Sequence, residues 1–292
     1  MVKIRRKYLS LCLVAAISMV VPACYPEDEL NIPRKSVVDS QDELDERIQQ
    51  DFIDEYGVAV RYKFVDRYVD QTKRVTPPKL DVVEPMLNFL TDFWIRPFEE
   101  VPNGEDFFRR HVPAEVIFIG STIYNADGTV TLGTADAGAR ITLTEVNFID
   151  VEDRDWIFRQ LGTIYHEFAH IMHQRYNLPA NWQLLSPQGY TSLGSWYNLT
   201  DEEALQRGFV SPYGTSTFNE DFAELVAFYL FDPDFHTKYT IDETSCVTAD
   251  CTARNEGRAK LRQKLAAAQL HYKQNVGVDL ELVRQRVQAR LP

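Results

Sequence analysis

The chain has 292 residues, of which 45% are hydrophobic and 12% are aromatic. This composition supports a packed core and excludes a disordered chain, and the length permits one large domain or two small ones. The formal net charge of -12, from 31 basic and 43 acidic residues, opposes binding to phosphate backbones, so nucleic acid is not an expected partner.

The first 24 residues have the pattern of an export signal. A basic run, Lys3–Lys7, is followed by an apolar stretch from Leu9 to Val21 that is too short to span a bilayer comfortably. The stretch ends with Ala23 and Cys24, and a small residue before a cysteine at this place resembles the lipobox of bacterial lipoproteins. We therefore predict that Cys24 carries lipid and that residues 25–40 form a polar tether. An ordinary cleaved signal with an incidental cysteine is the alternative.

Residues 41–292 are expected to form one domain of the α+β class. Apolar residues at helical spacing predict helices at residues 41–56, 84–99, 153–176, 218–231, 255–275 and 279–290. Strands are predicted at 58–65 and within 114–148, where short alternating runs and a turn at 125–128 indicate a small, mostly antiparallel sheet. Residues 177–217 are predicted to be irregular, and a loop of that length inside a compact domain is usually functional.

The helix at 153–176 contains the sequence from His166 to His170, with Glu167 between the two histidines. Histidines four residues apart lie on one helix face, so both can bind one metal ion. Glu167 projects beside that ion, where it can take a proton from the attacking water and pass it to a leaving amine. The pattern predicts one Zn²⁺ per chain, His166 and His170 as ligands, and Glu167 as the general base; a chance match is the alternative. The apolar stripe of this helix is predicted to be core: Leu161, Ile164, Tyr165, Phe168 and Ile171.

A catalytic zinc site needs a third protein ligand and one position open for water. The helix at 218–231 offers Glu220 and Glu224, one turn apart on one face. In such a pair one carboxylate binds the metal, and the other accepts the free ring N–H of a ligating histidine. Helical periodicity does not choose between the two, and the helix dipole alone favours acidic residues in a first turn. His173 lies three residues after His170 on the same side of the helix. It is expected to contact a ligand residue or to lie at the surface, and not to bind the metal itself.

The segment Tyr213–Glu224 resembles the catalytic end of the anthrax lethal factor-like gluzincins. In those proteins a tyrosine precedes the ligand glutamate by seven residues, as Tyr213 precedes Glu220. The resemblance covers residues 161–231 and implies Glu220 as the third zinc ligand and Glu224 as the partner of His166. It also implies that Tyr213 donates a hydrogen bond to the oxyanion of the reaction. Two tyrosines of the same long loop are alternatives for that last role: Tyr190 and Tyr197.

The lipobox, the length and the layout together resemble the substrate import-associated zinc metallohydrolase lipoproteins of Gram-negative bacteria. This second resemblance spans most of the mature chain. Those proteins are zinc-binding metallopeptidases encoded beside TonB-dependent importers. The resemblance implies a zincin-like fold, a peptide or protein substrate, an outer-membrane location through Cys24, and an importer complex as partner. It does not imply a particular substrate.

Two other interpretations of the site stay open. A non-catalytic lipoprotein could use the cleft to capture a peptide or a glycan for an importer, although a pure binder has no need for Glu167. The second is a structural zinc site, but such sites usually have four ligands rich in cysteine, and no cysteine lies near the motif. The binder is supported by aromatic residues of the long loop, which could equally be core: Trp182, Tyr190, Trp196 and Tyr197.

Cys246 and Cys251 enclose a polar segment of four residues. In an exported protein this spacing predicts a small loop disulfide. A zinc pair is the alternative, but no second pair of cysteines or histidines stands nearby to complete it.

Replacement of the predicted lipidation site tests the anchor. Cys24→Ser removes the thiol that would carry lipid, so we expect the protein to move from the membrane fraction to a soluble or unprocessed form. Fractionation and immunoblotting measure this. Retention of the variant in the membrane with unchanged processing would contradict the lipoprotein interpretation.

Overall fold

The computed structural model describes residues 39–124, 130–131, 133–135, 139–192 and 194–292. The predicted signal, Cys24, nearly all of the tether and the turn at 125–128 lie outside these residues. Residues 40–292 form one compact unit. Among the residues described, no helix combines the length and the apolar character needed to cross a bilayer.

Helices and strands are numbered here in chain order. The helices are α1 (Asp39–Ile48), α2 (Leu80–Leu90), α3 (Arg96–Glu99), α4 (Gly104–His111), α5 (Arg154–Tyr176), α6 (Asp201–Arg207), α7 (Phe218–Phe231), α8 (Phe235–Tyr239), α9 (Ala249–His271) and α10 (Leu280–Gln288). The strands are β1 (Ala59–Arg61), β2 (Glu115–Phe118), β3 (Ile123–Tyr124), β4 (Val130–Thr131), β5 (Gly133–Ala135) and β6 (Arg140–Leu143). Wider, π-helical turns extend α1 to Asp54, join α2 to α3, and extend α9 to Val276.

The predicted α+β class and the six predicted helices are confirmed, with shifted ends. For example, α9 begins at Ala249 rather than near 255, because the Thr248 hydroxyl accepts a hydrogen bond from the Cys251 N–H and caps the helix. The prediction of an irregular segment at 177–217 is wrong in one part, since α6 lies within it. A capping box between Thr200 and Glu203 starts that helix.

The prediction of a mostly antiparallel sheet is wrong. The main sheet has the strand order β1-β2-β6-β5, in which β1, β2 and β6 are parallel and only β5 is antiparallel to its neighbour. Parallel neighbours need a long crossover connection. Helices α2–α4 lie in the connection between β1 and β2, and β3, β4 and β5 come between β2 and β6 in the chain. Antiparallel pairing within 114–148 is found, among the described residues, between β5 and β6 and between β3 and β4, and the second pair forms a separate two-stranded sheet.

The buried face of α5 fixes how the histidine-bearing helix sits in the molecule. Its predicted core stripe is confirmed, since all five residues are buried. Phe168 lies two residues from each of His166 and His170, which places it about 200° around the helix from them. Its ring packs against four buried aromatic rings at centroid distances of 5.3 to 5.9 Å. These rings belong to Trp94, Phe98, Phe107 and Phe108.

The other side of α5 packs along α7. Helix α7 is buried on most of its circumference, including Phe222, Leu225 and Tyr229, because α9 and α10 pack against it as well. A helix that is apolar nearly all round is stable only inside a protein. The two helices that carry the predicted ligands are therefore held together at the centre of the fold.

Truncation of the Phe168 ring tests this anchoring. Phe168→Ala leaves a cavity among four aromatic rings, so we expect the free energy of unfolding to fall by about 3–5 kcal/mol. Denaturation in urea measures the change. Phe148→Ala is the matched control, because Phe148 is 63% exposed and should cost no more than about 0.5 kcal/mol. Equal effects of the two substitutions would contradict the role of Phe168.

Candidate metal centre

Three side chains from α5 and α7 converge on one point. The Nε2 atoms of His166 and His170 lie 3.0 Å apart. Oε2 of Glu220 lies 3.0 Å from Nε2 of His166 and 3.1 Å from Nε2 of His170. Thr217 starts α7 by accepting a hydrogen bond from the backbone N–H of Glu220, at 3.1 Å. This cap places Glu220 in the first turn, facing the histidines.

The triangle of ligand atoms suits a zinc ion. Tetrahedral zinc with bonds of about 2.0–2.2 Å holds its ligand atoms about 3.3 Å apart, and the observed separations of 3.0 to 3.1 Å reach that value with a small outward shift. Two imidazole nitrogens and one carboxylate oxygen are also the donors of many catalytic zinc sites. The residues present therefore fit the metal in spacing and in chemistry.

Each of the two histidines is oriented through its other ring nitrogen. With Nε2 turned toward Glu220, the Nδ1–H of His166 donates to Oε1 of Glu224 at 2.7 Å. The Nδ1–H of His170 donates to Nε2 of His173 at 2.7 Å. Such partners fix the tautomer and the ring orientation of metal-binding histidines. Glu224 thus contacts His166 from behind, while Glu220 lies in front of both rings.

A further layer of contacts holds Glu224 in place. Its Oε2 accepts a short hydrogen bond from the hydroxyl of Ser211. The same Ser211 oxygen accepts a hydrogen bond from the backbone N–H of Gly214, at 3.1 Å. Ser211 is buried, so this link is shielded from water. It connects the carboxylate behind His166 to the turn that contains Tyr213.

The electrostatics of the cluster favours a positive charge at its centre. Burial opposes protonation of His166, but its hydrogen bonds to Glu220 and Glu224 outweigh this and raise its pKa to about 10. Burial likewise raises the pKa of Glu220, yet the hydrogen bonds from the two histidines outweigh it, and the net shift is downward. The carboxylate of Glu220 is therefore ionised, and a cation near the histidines is stabilised.

Glu167 lies beside the ligand triangle and is not one of its members. Burial raises the pKa of its carboxyl group, while the nearby charges of His166 and His170 act in the opposite direction. A raised pKa makes a carboxylate a stronger base, which acid–base catalysis requires. Its environment is therefore suited to acid–base chemistry.

Tyr213 is placed beside the cluster, and the other two candidate tyrosines are not. Its ring centroid lies 5.9 Å from that of His166, and the side chain is 37% exposed. Burial, followed by the charges of nearby carboxylates, raises the pKa of the phenol, so it carries a donor proton at neutral pH. By contrast, Tyr190 donates its hydroxyl to Asp221 at 2.8 Å, and Tyr197 points to solvent with 62% exposure.

A buried ion pair fixes the first turn of α7 next to Glu220. Lys264 of α9 is 0% exposed and Asp221 is 2% exposed. The Lys264 ammonium donates to Oδ1 of Asp221 at 2.8 Å and to the backbone oxygen of Gly208 at 2.7 Å. Removing one partner of such a pair leaves a buried charge without a counter-charge, which is strongly destabilising. The pair therefore holds the backbone next to Glu220.

The two C-terminal cysteines lie in a separate place. Cys246 and Cys251 are joined by a disulfide with their Cα atoms 5.4 Å apart. Glu243 lies close enough to complete a group of three possible metal-binding residues. Its carboxylate is instead engaged by the guanidinium groups of Arg254 and Arg258, which lower its pKa to about 2. With the sulfurs bonded to each other, the zinc-pair alternative has no support among the described residues.

Sequence reasoning missed Ser211, Lys264 and Asp221 as supporting residues and left the part of His173 open. Asp221 follows a predicted ligand and Lys264 stands among Leu261, Leu265 and Ala268 on a buried face. A charged residue at an apolar position of a helix is a usable signal for a buried pair. Ser211 gives no such signal, because its partners are 3 and 13 residues away along an irregular loop.

Two histidines four residues apart on one helix, with a glutamate between them and another glutamate on a packed neighbouring helix, form an arrangement typical of zinc metallopeptidases. A family model described as "Putative zinc-binding metallo-peptidase" matches residues 38–281, and the chain belongs to this family. The family supports a peptidase role and zinc binding.

A solved structure supports the same assignment. The chain is similar to a protein described in the words "putative zinc-binding metallo-peptidase from Bacteroides caccae", with 28% sequence identity and a TM-score of 0.70. The match covers 86% of this chain and 92% of that one. No curated protein matches the chain.

The positions of Glu220 and Glu224 give their substitutions different signatures. Glu220→Gln replaces the anionic carboxylate that faces both histidines by a neutral amide, so zinc content should fall close to zero at ordinary metal levels. Glu224→Gln weakens the partner of His166, so affinity should fall by about 10- to 100-fold while the site still fills in excess zinc. Metal analysis after dialysis against graded zinc measures both.

Glu256→Gln is the control for this pair of substitutions, because Glu256 is exposed and should leave zinc content unchanged. If the Glu224→Gln protein lacks zinc and the Glu220→Gln protein retains it, the two roles are reversed.

Proposed function

We propose that the protein is a zinc-dependent peptidase of the gluzincin type, which hydrolyses peptide bonds with one Zn²⁺ held by His166, His170 and Glu220. The single observation that carries the proposal is the convergence of their three ligand atoms within 3.1 Å of one another, with Glu167 beside them. The family of the chain supports the same chemistry at a coarser level.

Zinc, when bound, supplies a Lewis acid that makes water nucleophilic near neutral pH and polarises the substrate carbonyl. Glu167 accepts the proton of the attacking water and returns it to the leaving amine nitrogen, which becomes a neutral amine. Its raised pKa suits both steps. The Tyr213 phenol donates a hydrogen bond to the oxygen on which negative charge develops, as an oxyanion-hole group does.

The remaining groups keep this arrangement rigid. Glu224 and His173 hold the rings of His166 and His170 through Nδ1. The link from Glu224 through Ser211 to the turn of Tyr213 couples the orientation of a metal ligand to that of the oxyanion donor. Preorganisation of this kind accounts for much of the catalytic power of enzymes.

We also propose that the protein is exported and anchored to the outer membrane of a Gram-negative bacterium by lipid on Cys24. A peptide or protein is the proposed substrate, and a TonB-dependent importer complex is the proposed partner. The supports are the basic run, the apolar stretch and the lipobox-like end of the signal, together with the resemblance to import-associated metallohydrolase lipoproteins.

A binding lipoprotein that captures a peptide or glycan is the second candidate function. The exposed side chain of Tyr197 and the half-buried ring of Trp196 near Tyr213 favour it. The partly buried carboxyl group of Glu167 beside the ligand atoms, with its raised pKa, favours the enzyme, because capture alone does not use a proton acceptor.

Substitution of Glu167 separates the two functions. We expect Glu167→Ala and Glu167→Gln to keep stoichiometric zinc and to lower kcat by at least about 10²-fold, because the proton acceptor is gone while the ligands are intact. Cleavage of a diverse peptide library with and without chelator, followed by metal analysis, measures this. Glu256→Gln should behave as the wild type. Loss of zinc, or activity retained at the wild-type level, would contradict the role of Glu167.

A further inference from the structure

The four aromatic residues of the long loop that sequence reasoning could not assign fall into two pairs. Trp182 and Tyr190 belong to the interior. The Trp182 ring packs on Phe222 at 5.3 Å, and the Tyr190 ring packs on Phe209 at 5.0 Å. Trp196 and Tyr197 instead lie at the surface, where Tyr197 is 62% exposed and Trp196 is half-buried.

The second pair continues outward from the metal centre. The His166 ring lies 5.9 Å from that of Tyr213, the Tyr213 ring lies 5.0 Å from that of Trp196, and the Trp196 ring lies 6.0 Å from that of Tyr197. Tyr213, Trp196 and Tyr197 thus form a continuous aromatic row, which starts at a proposed zinc ligand and ends in solvent.

Hydrogen bonds hold the backbone beneath the aromatic row. The N–H of Thr191 donates to the oxygen of Thr215 at 2.8 Å, which joins the segment before Trp196 to the turn that contains Tyr213. The Ser195 hydroxyl donates to the oxygen of Ser192 at 2.8 Å, and Thr200 caps α6 directly after the row. The rings are therefore positioned before any ligand arrives, which lowers the entropy lost on binding.

We propose that the aromatic row is a substrate subsite that binds a large apolar or aromatic side chain of a peptide next to the bond to be cut. The proposal rests on the proposed peptidase function. Side chains on one face of an extended peptide repeat about every 6.8 Å, and the rings of the row are spaced at 5.0 and 6.0 Å. A residue adjoining a carbonyl at the metal centre therefore comes within reach of Tyr213 and Trp196.

The shape of the row favours a peptide side chain over a sugar. Neighbouring rings meet nearly at right angles, at 76° between Tyr213 and Trp196 and at 79° between Trp196 and Tyr197. Perpendicular rings form corners that enclose a compact apolar group and allow edge-to-face contacts with another aromatic ring. They do not form the broad flat surface that a chain of sugar rings would cover.

The test measures binding separately from cleavage. In the zinc-loaded Glu167→Ala protein, affinities are compared for two peptides that differ only in phenylalanine or alanine next to the cleavage site. We expect the phenylalanine peptide to bind about 10- to 100-fold more tightly. Tyr197→Ala and Trp196→Ala should reduce this preference by about 10-fold or more. Trp196→Phe should restore part of it, which general damage to the loop would not.

Tyr124→Ala is the matched control, because Tyr124 is 67% exposed on β3 and should leave the preference unchanged. The same substitutions in the active protein should lower kcat/KM more for the phenylalanine peptide than for the alanine peptide, with unchanged zinc content.

If the Trp196 and Tyr197 variants prefer the phenylalanine peptide as strongly as the parent protein does, the proposed subsite is contradicted. A loss of affinity for an N-acetylglucosamine oligomer, with peptide binding unaffected, would overturn it in favour of a glycan surface. If the predicted peptide preference is found but the wild type with zinc cleaves no peptide, the subsite is supported and the peptidase function is contradicted.

Discussion

The hydrogen bond from His166 to Glu224 joins the two central helices, and the candidate site depends on it. It fixes one ligand ring and at the same time sets how α5 and α7 approach each other, since the bond spans only 2.7 Å. The far side of α5 is held by Phe168 among aromatic rings. The first turn of α7 is held by the buried pair of Asp221 and Lys264. Each helix is thus also fixed by contacts outside the face that the two helices share, and this shared face can carry polar groups that would be costly elsewhere in a core.

The predictable part of the site was the part determined within one helix. The spacing of His166 and His170 places them on one face whatever surrounds the helix, and the apolar stripe fixes the opposite face. The choice between Glu220 and Glu224 needed a family pattern, because both lie on one face of α7. The sheet direction was not predictable from short runs, since it depends on where crossover segments return the chain. Ser211 and Lys264 act across irregular or distant parts of the chain, where periodicity carries no information.

Two identical local patterns show how tertiary surroundings decide what a residue does. Thr200 and Glu203 stand three residues apart and form a capping box, in which the glutamate side chain accepts from the backbone N–H of Thr200. Thr217 and Glu220 have the same spacing, and Thr217 caps α7 in the same way. The carboxylate of Glu220, however, faces two imidazoles. The two glutamates differ in their surroundings: Glu203 faces solvent, whereas Glu220 faces α5.

The division of the ligands between α5 and α7 has a consequence for the stability of the protein. His170 and Glu220 are 50 residues apart in the chain, so a cation bound by both would act as a reversible cross-link across that loop. A ligand that binds only the folded chain stabilises it by mass action, by about 2.7 kcal/mol at a free concentration 100 times its Kd. Resistance to unfolding would then follow the free zinc concentration around the protein. Scarcity of the metal would lower the stability of the fold together with the occupancy of the site.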